Sequence, residues 1–273
     1  MFLKYNNLNF HIHISNENLL NVKKPLILLH GFTGSSDDWN FLFNKINSDY
    51  VVIAIDLPGH GKSSSPENIK YYSFEFISNL LNFILIKMNL TNVSIAGYSM
   101  GGRIALSFAI NNSHKIKKLI LESSTAGIEN RNDRLIRINN DNYLAKTIEG
   151  KGIENFVDYW LNQPLFNTLK NIPPEIYNAL REKKLKNNPV GLANTLRGLG
   201  TGVMPNYWNR LQSLQIETLL ISGELDKKFT EINSRLNSLL PNSNHKIIQN
   251  CGHNVHLEKP EEFVILLNEF LTH

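Results

Sequence analysis

Three residues that together can activate a hydroxyl occur in this chain in a fixed order: Ser99, Asp226 and His253. Ser99 stands in Gly97-Tyr98-Ser99-Met100-Gly101, a G-x-S-x-G pattern. Val93-Ser94-Ile95-Ala96 ahead of it reads as a short buried strand, and Gly102-Arg103-Ile104-Ala105-Leu106 behind it reads as a helix. A serine at such a junction sits on a tight strand-to-helix turn with its oxygen out over the sheet edge. The glycines are needed because backbone there comes too close for a Cβ. The helix N-terminus turns its partial positive charge toward the site. Asp226 follows the apolar run Thr218–Ser222, and His253 follows Gly252 after Lys246-Ile247-Ile248. Each of the three therefore lies just beyond an expected strand, where the sites of open α/β sheets lie. The expected chemistry is proton transfer from the Ser99 hydroxyl to His253, with Asp226 fixing the imidazole tautomer and stabilising its charged form. Glu224 and His256 are the neighbouring competitors. A structural role is expected for His256 ahead of a lid or substrate-facing one.

Pro25-Leu26-Ile27-Leu28-Leu29 is a continuous apolar run, as in a strand buried on both faces. It ends in His30-Gly31-Phe32-Thr33-Gly34. An H-G-x turn here, and the order nucleophile–acid–histidine, resemble the α/β-hydrolase fold. That resemblance implies an oxyanion hole from the backbone N–H groups of Phe32 and Met100. Two such donors aimed at developing charge contribute a few kcal/mol each.

The elements that must position these residues can be read along the chain. Phe2–Tyr5 and Phe10–Ile14, around Asn6-Asn7, form an expected hairpin at the sheet edge. Val51–Ile55 is a further buried strand, followed by Asp56-Leu57-Pro58-Gly59-His60-Gly61-Lys62-Ser63, expected to be a rigid structural turn. Ser73 to Met88 carries helical spacing in Phe76, Leu80, Leu81, Ile84 and Leu85. Lys118–Glu122 is another strand, and Pro260 opens an amphipathic C-terminal helix. The α/β-hydrolase core is thus expected at 1–127 and 211–273, a mostly parallel sheet flanked by helices. Residues 128–210 show only helix-like patterns, broken at Pro164, Pro173-Pro174, Pro189 and Pro205, and are expected to form a helical cap.

Composition bounds the partners. The chain has 273 residues, 42% hydrophobic and 19% charged, with a net charge of +4, enough for one large domain with an insertion. No dense Lys/Arg block points to nucleic acid; Lys183-Lys184 and Lys186 read as a solvated helix face. No run reaches the ~20 apolar residues of a bilayer span, and Met1–Asn6 lacks a signal-peptide core. The single cysteine, Cys251, forbids an internal disulfide and reads as a small buried filler rather than a catalytic thiol. A cytoplasmic enzyme is expected, with no cofactor and no metal, since the histidines lack ligand spacing.

The chain further resembles the 2-succinyl-6-hydroxy-2,4-cyclohexadiene-1-carboxylate synthases of menaquinone biosynthesis. The similar stretches include His30–Gly34 with Trp39, Asp56–Gly61, Gly97–Arg103, Glu122–Gly127, Trp160–Phe166, Gly223–Phe229 and Gly252–His256. The resemblance implies a lyase. A ring proton is abstracted and pyruvate is eliminated from 2-succinyl-5-enolpyruvyl-6-hydroxy-3-cyclohexene-1-carboxylate, with Ser99 acting as a base rather than forming an acyl-enzyme. It also implies that Arg103, Arg137 and Arg181 bind this small-molecule tricarboxylate and that Tyr98 and Trp160 line the pocket. Guanidinium pairs with carboxylate in a bidentate manner and stays charged. Two rivals share parts of the pattern: a carboxylesterase, thioesterase or C–C bond hydrolase with the same triad, and a non-catalytic ligand-binding member of the fold. Three arginines are of little use to the first, and the complete triad argues against the second.

Overall fold

The protein is described by a computed structural model that covers residues 1–272. Strands β1 (Phe2–Tyr5) and β2 (Leu8–Ile14) form the expected hairpin. Its turn residues, Asn6 and Asn7, take φ of 49° and 62°, the left-handed pair that a two-residue hairpin turn requires and asparagine tolerates. There follow β3 (Lys24–Leu29), β4 (Tyr50–Ile55), α1 (Phe74–Lys87), β5 (Val93–Tyr98), α2 (Met100–Asn111) and β6 (Ile116–Glu122). After these come α3 (Arg131–Leu161), α4 (Pro174–Leu185) and α5 (Pro189–Leu199), then β7 (Glu217–Gly223), α6 (Lys227–Leu239), β8 (Ser243–Ile248), α7 (Val255–Glu258) and α8 (Pro260–Thr272).

The strands make one eight-stranded sheet in the order β1-β2-β4-β3-β5-β6-β7-β8. The six strands from β4 to β8 pair in parallel, and β2 joins antiparallel. Side chains alternate between the two faces. Ile27 and Leu29 point into the cluster under α1 and α2, while Leu26 and Leu28 meet Trp39, Phe263 and Leu267 on the α8 side. Helices on both faces explain why these strands read as unbroken apolar runs. β3 lies between β4 and β5, so the loops after β3 and β5 leave in opposite directions. The crevice that opens there is where ligands bind in open α/β sheets, and both His30–Gly34 and Ser99 sit on it.

Three local features differ from the sequence reading. α6 is an additional helix: its apolar residues Phe229, Ile232, Leu236 and Leu239 keep helical spacing, but the polar residues between them hide the stripe. The prolines of the 128–210 segment mostly start helices, Pro174 and Pro189 standing at first-turn positions where their missing N–H costs nothing. The sharp break inside α3 falls at Gly152, with φ 81° and ψ 172°.

Among the described residues no strand lies between β6 and β7. The helices there bury their own cluster, including Ala145, Ile148, Phe156, Leu161 and Leu192, and Phe32 from the β3 loop packs against it. The end of the segment, at Leu199, Met204, Tyr207 and Trp208, instead packs into the cluster beneath the sheet. The roof is thus anchored to the core at one end. Among the described residues no helix is long and apolar enough to cross a membrane.

Crowding around the β5–α2 turn yields a prediction from one pair of identical substitutions. A Cβ on Gly101 would run into the backbone carbonyls of Leu29 and His30, whereas one on Gly150 in α3 would meet nothing within 4 Å. Gly101→Ala is expected to cost about 3 kcal/mol, toward the upper end for overpacking. Thermal unfolding should show this as a Tm lower by roughly 10 °C. Gly150→Ala is expected to gain about 0.5–1 kcal/mol from helix propensity.

Candidate active site

Ser99 follows the last residue of β5 and precedes the first residue of α2, with φ 49° and ψ −103°. Such a backbone costs of order 1–3 kcal/mol and persists only where its surroundings over-determine it. Its N–H donates to the Glu122 carbonyl at 2.8 Å, and its carbonyl accepts from the Arg103 N–H at 3.0 Å. The strain holds the side chain out of the helix, facing His253. The Ser99 hydroxyl lies 3.1 Å from His253 Nε2, and His253 Nδ1 lies 2.6 Å from Asp226 Oδ2. With the Nδ1 proton donated to Asp226, Nε2 is free to accept from serine. Asp226 caps α6, accepting the Phe229 N–H at 3.4 Å, which fixes its carboxylate relative to the sheet. His253 is 1% exposed. The rings of Phe229 and Tyr98, at 4.6 and 5.4 Å, shield it from water.

The peptide group between Gly31 and Phe32 is oriented from behind. His30 Nδ1 donates to the Gly31 carbonyl at 2.7 Å, and the Gly34 N–H donates to the same oxygen at 3.0 Å. His30 Nε2 accepts the Leu57 N–H at 3.1 Å, which requires the neutral Nδ1–H tautomer. Burial depresses the His30 pKa and favours that neutral form. Carbonyl and N–H point in opposite directions across a trans peptide, so anchoring the Gly31 oxygen turns the Phe32 N–H toward the crevice. Among the described residues neither the Phe32 nor the Met100 N–H has a protein acceptor. The next residue, Thr33, is itself left-handed at φ 68°. It is gripped from the α4 end of the roof, its hydroxyl accepting from Lys184 Nζ at 2.7 Å and its carbonyl from Asn187 Nδ2 at 3.0 Å.

Two further features emerge beneath the site. Glu122, 1% exposed at the end of β6, accepts from His256 Nδ1 at 2.7 Å and from the His256 N–H at 3.0 Å. His256 thereby anchors the loop bearing His253, the structural role expected for it, and its ring supports Tyr98 edge-on at 4.9 Å. Asp56 accepts the N–H groups of Ser36 and Lys62 and lies 2.9 Å from His11 Nδ1, so the Asp56–Ser63 loop is knotted around one buried carboxylate. Cys251 is fully buried and burial pushes its thiol pKa up, consistent with a filler. Among the described residues no group of three or more His, Cys, Asp or Glu side chains could hold a metal ion.

A cavity of about 960 Å³ opens over Ser99 and His253, and its wall includes Phe32, Tyr98, Met100 and Trp160. Trp160 stands nearly perpendicular to Phe32, 5.3 Å away. Arg103 and Arg137 also line it. Arg103 is 8% exposed and donates to the Leu199 carbonyl at 2.6 Å, at the end of α5. Burial, then the nearby Arg137, push its pKa down to about 9, and Asp141 opposes them. Arg137 pairs with Asp141 at 2.9 Å.

Arg181 departs from the expectation. It does not line the cavity; its guanidinium pairs with Asp158 at 2.8 Å and Glu154 at 3.8 Å on the flank of α3. Those partners lie more than twenty residues away in sequence, and only the packing of α4 on α3 brings them together. Arg131, Arg134 and Arg197 are likewise off the cavity wall. The sequence reading missed Lys228 and Arg235, which line the cavity from α6. Their spacing from Phe229 and Ile232 was the available signal.

Comparison with known proteins places this geometry. The description of the alpha/beta hydrolase fold matches residues 24–260. A Bacillus subtilis (strain 168) protein, provisionally named as 2-succinyl-6-hydroxy-2,4-cyclohexadiene-1-carboxylate synthase, is 41% identical over 92% of this chain and 92% of its own length. The synthase of that name from Enterobacter sp. (strain 638) is 30% identical over 90% of this chain and 91% of its own. The solved structure of MenH from S. aureus superposes with a TM-score of 0.90 at 38% identity, covering 96% of this chain and 97% of that one. This chain belongs to the 2-succinyl-6-hydroxy-2,4-cyclohexadiene-1-carboxylate synthase family of α/β-hydrolase-fold enzymes.

Proposed function

We propose that this chain eliminates pyruvate from 2-succinyl-5-enolpyruvyl-6-hydroxy-3-cyclohexene-1-carboxylate in menaquinone biosynthesis, with Ser99, His253 and Asp226 acting as a proton relay. The observation that carries the reading is the unbroken chain from Ser99 Oγ through His253 to Asp226, open to a cavity with arginines in its wall. Comparing the substrate with the product, a 2,4-diene, defines the bond changes. The proton on ring C2, next to the succinyl ketone, leaves to Ser99 Oγ as the serine proton passes to His253. The C2–H electrons form the C2–C3 double bond, the C3–C4 pair moves to C4–C5, and the C5–O bond breaks. The leaving group is enolpyruvate, which takes up one proton at its methylene carbon to become pyruvate. The proton that His253 holds balances this one, so neither water nor a redox step is needed.

The geometry suits the charge this reaction develops. Loss of the C2 proton places negative charge on the succinyl ketone oxygen. The Phe32 and Met100 N–H groups are the donors we assign to that oxygen, the same arrangement that serves acyl transfer on this fold. Asp226 offsets the imidazolium formed on His253. Arg103 and Arg137 are assigned to two of the three carboxylates, Arg137 through the Nη groups that its Nε contact with Asp141 leaves free. A carboxylate against the buried Arg103 reverses the depression that burial imposes on its charge. Tyr98 and Trp160 would then bound the ring. The helices of 128–210 act as the cap, excluding water that would stabilise the ketone oxygen less well. We assign the small-molecule substrate as the sole partner of this site and a cytoplasmic location to the enzyme.

The direct test generates the unstable substrate in situ with its upstream synthase and follows pyruvate together with the diene absorbance. Wild type is expected to release both, and Ser99→Ala about 10⁴-fold more slowly, the scale of losing one member of such a triad. Turnover of simple esters, with no pyruvate above the spontaneous rate, would return the chain to the hydrolase reading. Arg103→Lys keeps charge but loses the planar fork. It is expected to raise KM roughly tenfold or more, the scale of a charge-assisted hydrogen bond, with a smaller change in kcat. An unchanged KM in steady-state assays would remove Arg103 from the binding site.

A further inference from the structure

We propose that Lys228 is a substrate-binding residue that holds one carboxylate of the ligand, a role that rests on the tricarboxylate reading of the cavity. The first turns of α6 present Lys228, Phe229, Ile232 and Arg235 to the cavity, spaced as one face of a helix. The charges on the cavity wall are unevenly satisfied. Its cations are Arg103, Arg137, Lys228 and Arg235, and its acids are Asp141 and Glu129. Asp141 is taken by Arg137. Glu129 is taken by Arg235, whose guanidinium also stacks 4.0 Å over Trp208. Among the described residues Lys228 makes no ion pair. Its ammonium stands 5.7 Å from the Phe229 ring, and that ring packs 4.6 Å from His253. Arg103 and Lys228 are therefore the wall cations without a carboxylate of their own, and a ligand with three carboxylates supplies what they lack.

The position of Lys228 strengthens the case, because it is unfavourable for the helix itself. Lys227 and Lys228 occupy the first turn of α6, and no acidic residue follows the Asp226 cap in that turn. A cation at a helix N-terminus opposes the helix dipole. Lys227 does not line the cavity. Lys228 does; both lysines are exposed and carry the unfavourable charge, and only at Lys228 would a ligand in the cavity offset it. Its three rotatable donors on a flexible stem can follow a carboxylate that a fixed fork would miss.

The test compares Lys228→Met with Lys227→Met, which removes the same charge one residue away. Calorimetry with benzene-1,3,5-tricarboxylate as the probe should give a Kd about tenfold weaker for Lys228→Met and unchanged within twofold for Lys227→Met, the scale of one charge-assisted contact. Neither variant should lower Tm, since each relieves the dipole conflict; a purely structural lysine would show the opposite. In turnover, Lys228→Met should raise KM by a similar factor with kcat within about threefold, also on that single-contact scale. Three substrate analogues, each with a different carboxylate converted to the amide, then identify the partner: for one of them, wild type and Lys228→Met should coincide. A Kd and KM within twofold of wild type would overturn the proposal, as would failure of wild type to bind the probe. If the Kd shift is present but wild type releases no pyruvate, the carboxylate site stands and the lyase reading falls.

Discussion

The structure depends on one strained residue. Ser99 at φ 49° and ψ −103° turns the chain from β5 into α2 so tightly that the helix passes directly over the strand it has left. That closeness is possible only because Gly97 and Gly101 have no side chains at the contact. Once it is in place, the Met100 N–H heads a helix and has no partner in its own turn. The serine oxygen cannot fold back onto the helix and faces His253 instead. The adjacent strands then fix the rest. β3 delivers the Gly31–Phe32 peptide, β6 delivers Glu122, and β7 delivers Asp226 through a three-residue turn. The cost of the strained backbone is spread over a sheet whose central strands are wholly buried on both faces.

Around this centre, two layers of histidine–carboxylate contact serve different ends. The outer one, His253 with Asp226, faces the cavity through Ser99. The inner one, His256 with Glu122, is buried and faces the loop that carries His253. The oxyanion side is organised in the same way. His30 holds the Gly31 carbonyl from below, while Lys184 and Asn187 hold Thr33 from the roof. Phe32 joins the two layers: its N–H faces the cavity, and its side chain packs among Phe156 and Trp160 of the helical segment. The position of that segment and the orientation of the proposed oxyanion donor are thus mechanically linked.

Much of this was legible in the sequence, for a physical reason. Strands buried on both faces must be apolar throughout, so β3, β4, β5, β6 and β7 stand out. Ser99 and Asp226 lie just beyond such strands, His253 follows the half-exposed edge strand β8, and the order of the three together with these positions points to a triad. What could not be read depends on contacts between elements distant in sequence. Arg181 is kept from the cavity by the packing of α4 on α3, and its partners on α3 give no local signature. The tautomer of His30 is set by the Leu57 N–H, more than twenty residues downstream. Lys228 lies on a stripe that polar residues hide in the sequence, and its meaning rests on Arg137 and Arg235 being already paired. The prolines between 128 and 210 read as breaks when most of them begin helices.

In the proposed elimination Ser99 passes a proton and is never acylated. This is tested by quenching the enzyme with acid on the millisecond scale during turnover of saturating substrate and measuring its intact mass. A proton relay should leave only the mass of the unmodified chain at every time point while pyruvate accumulates in proportion to time. A stoichiometric burst of product, accompanied by added mass that maps to Ser99, would contradict it and make the serine a nucleophile.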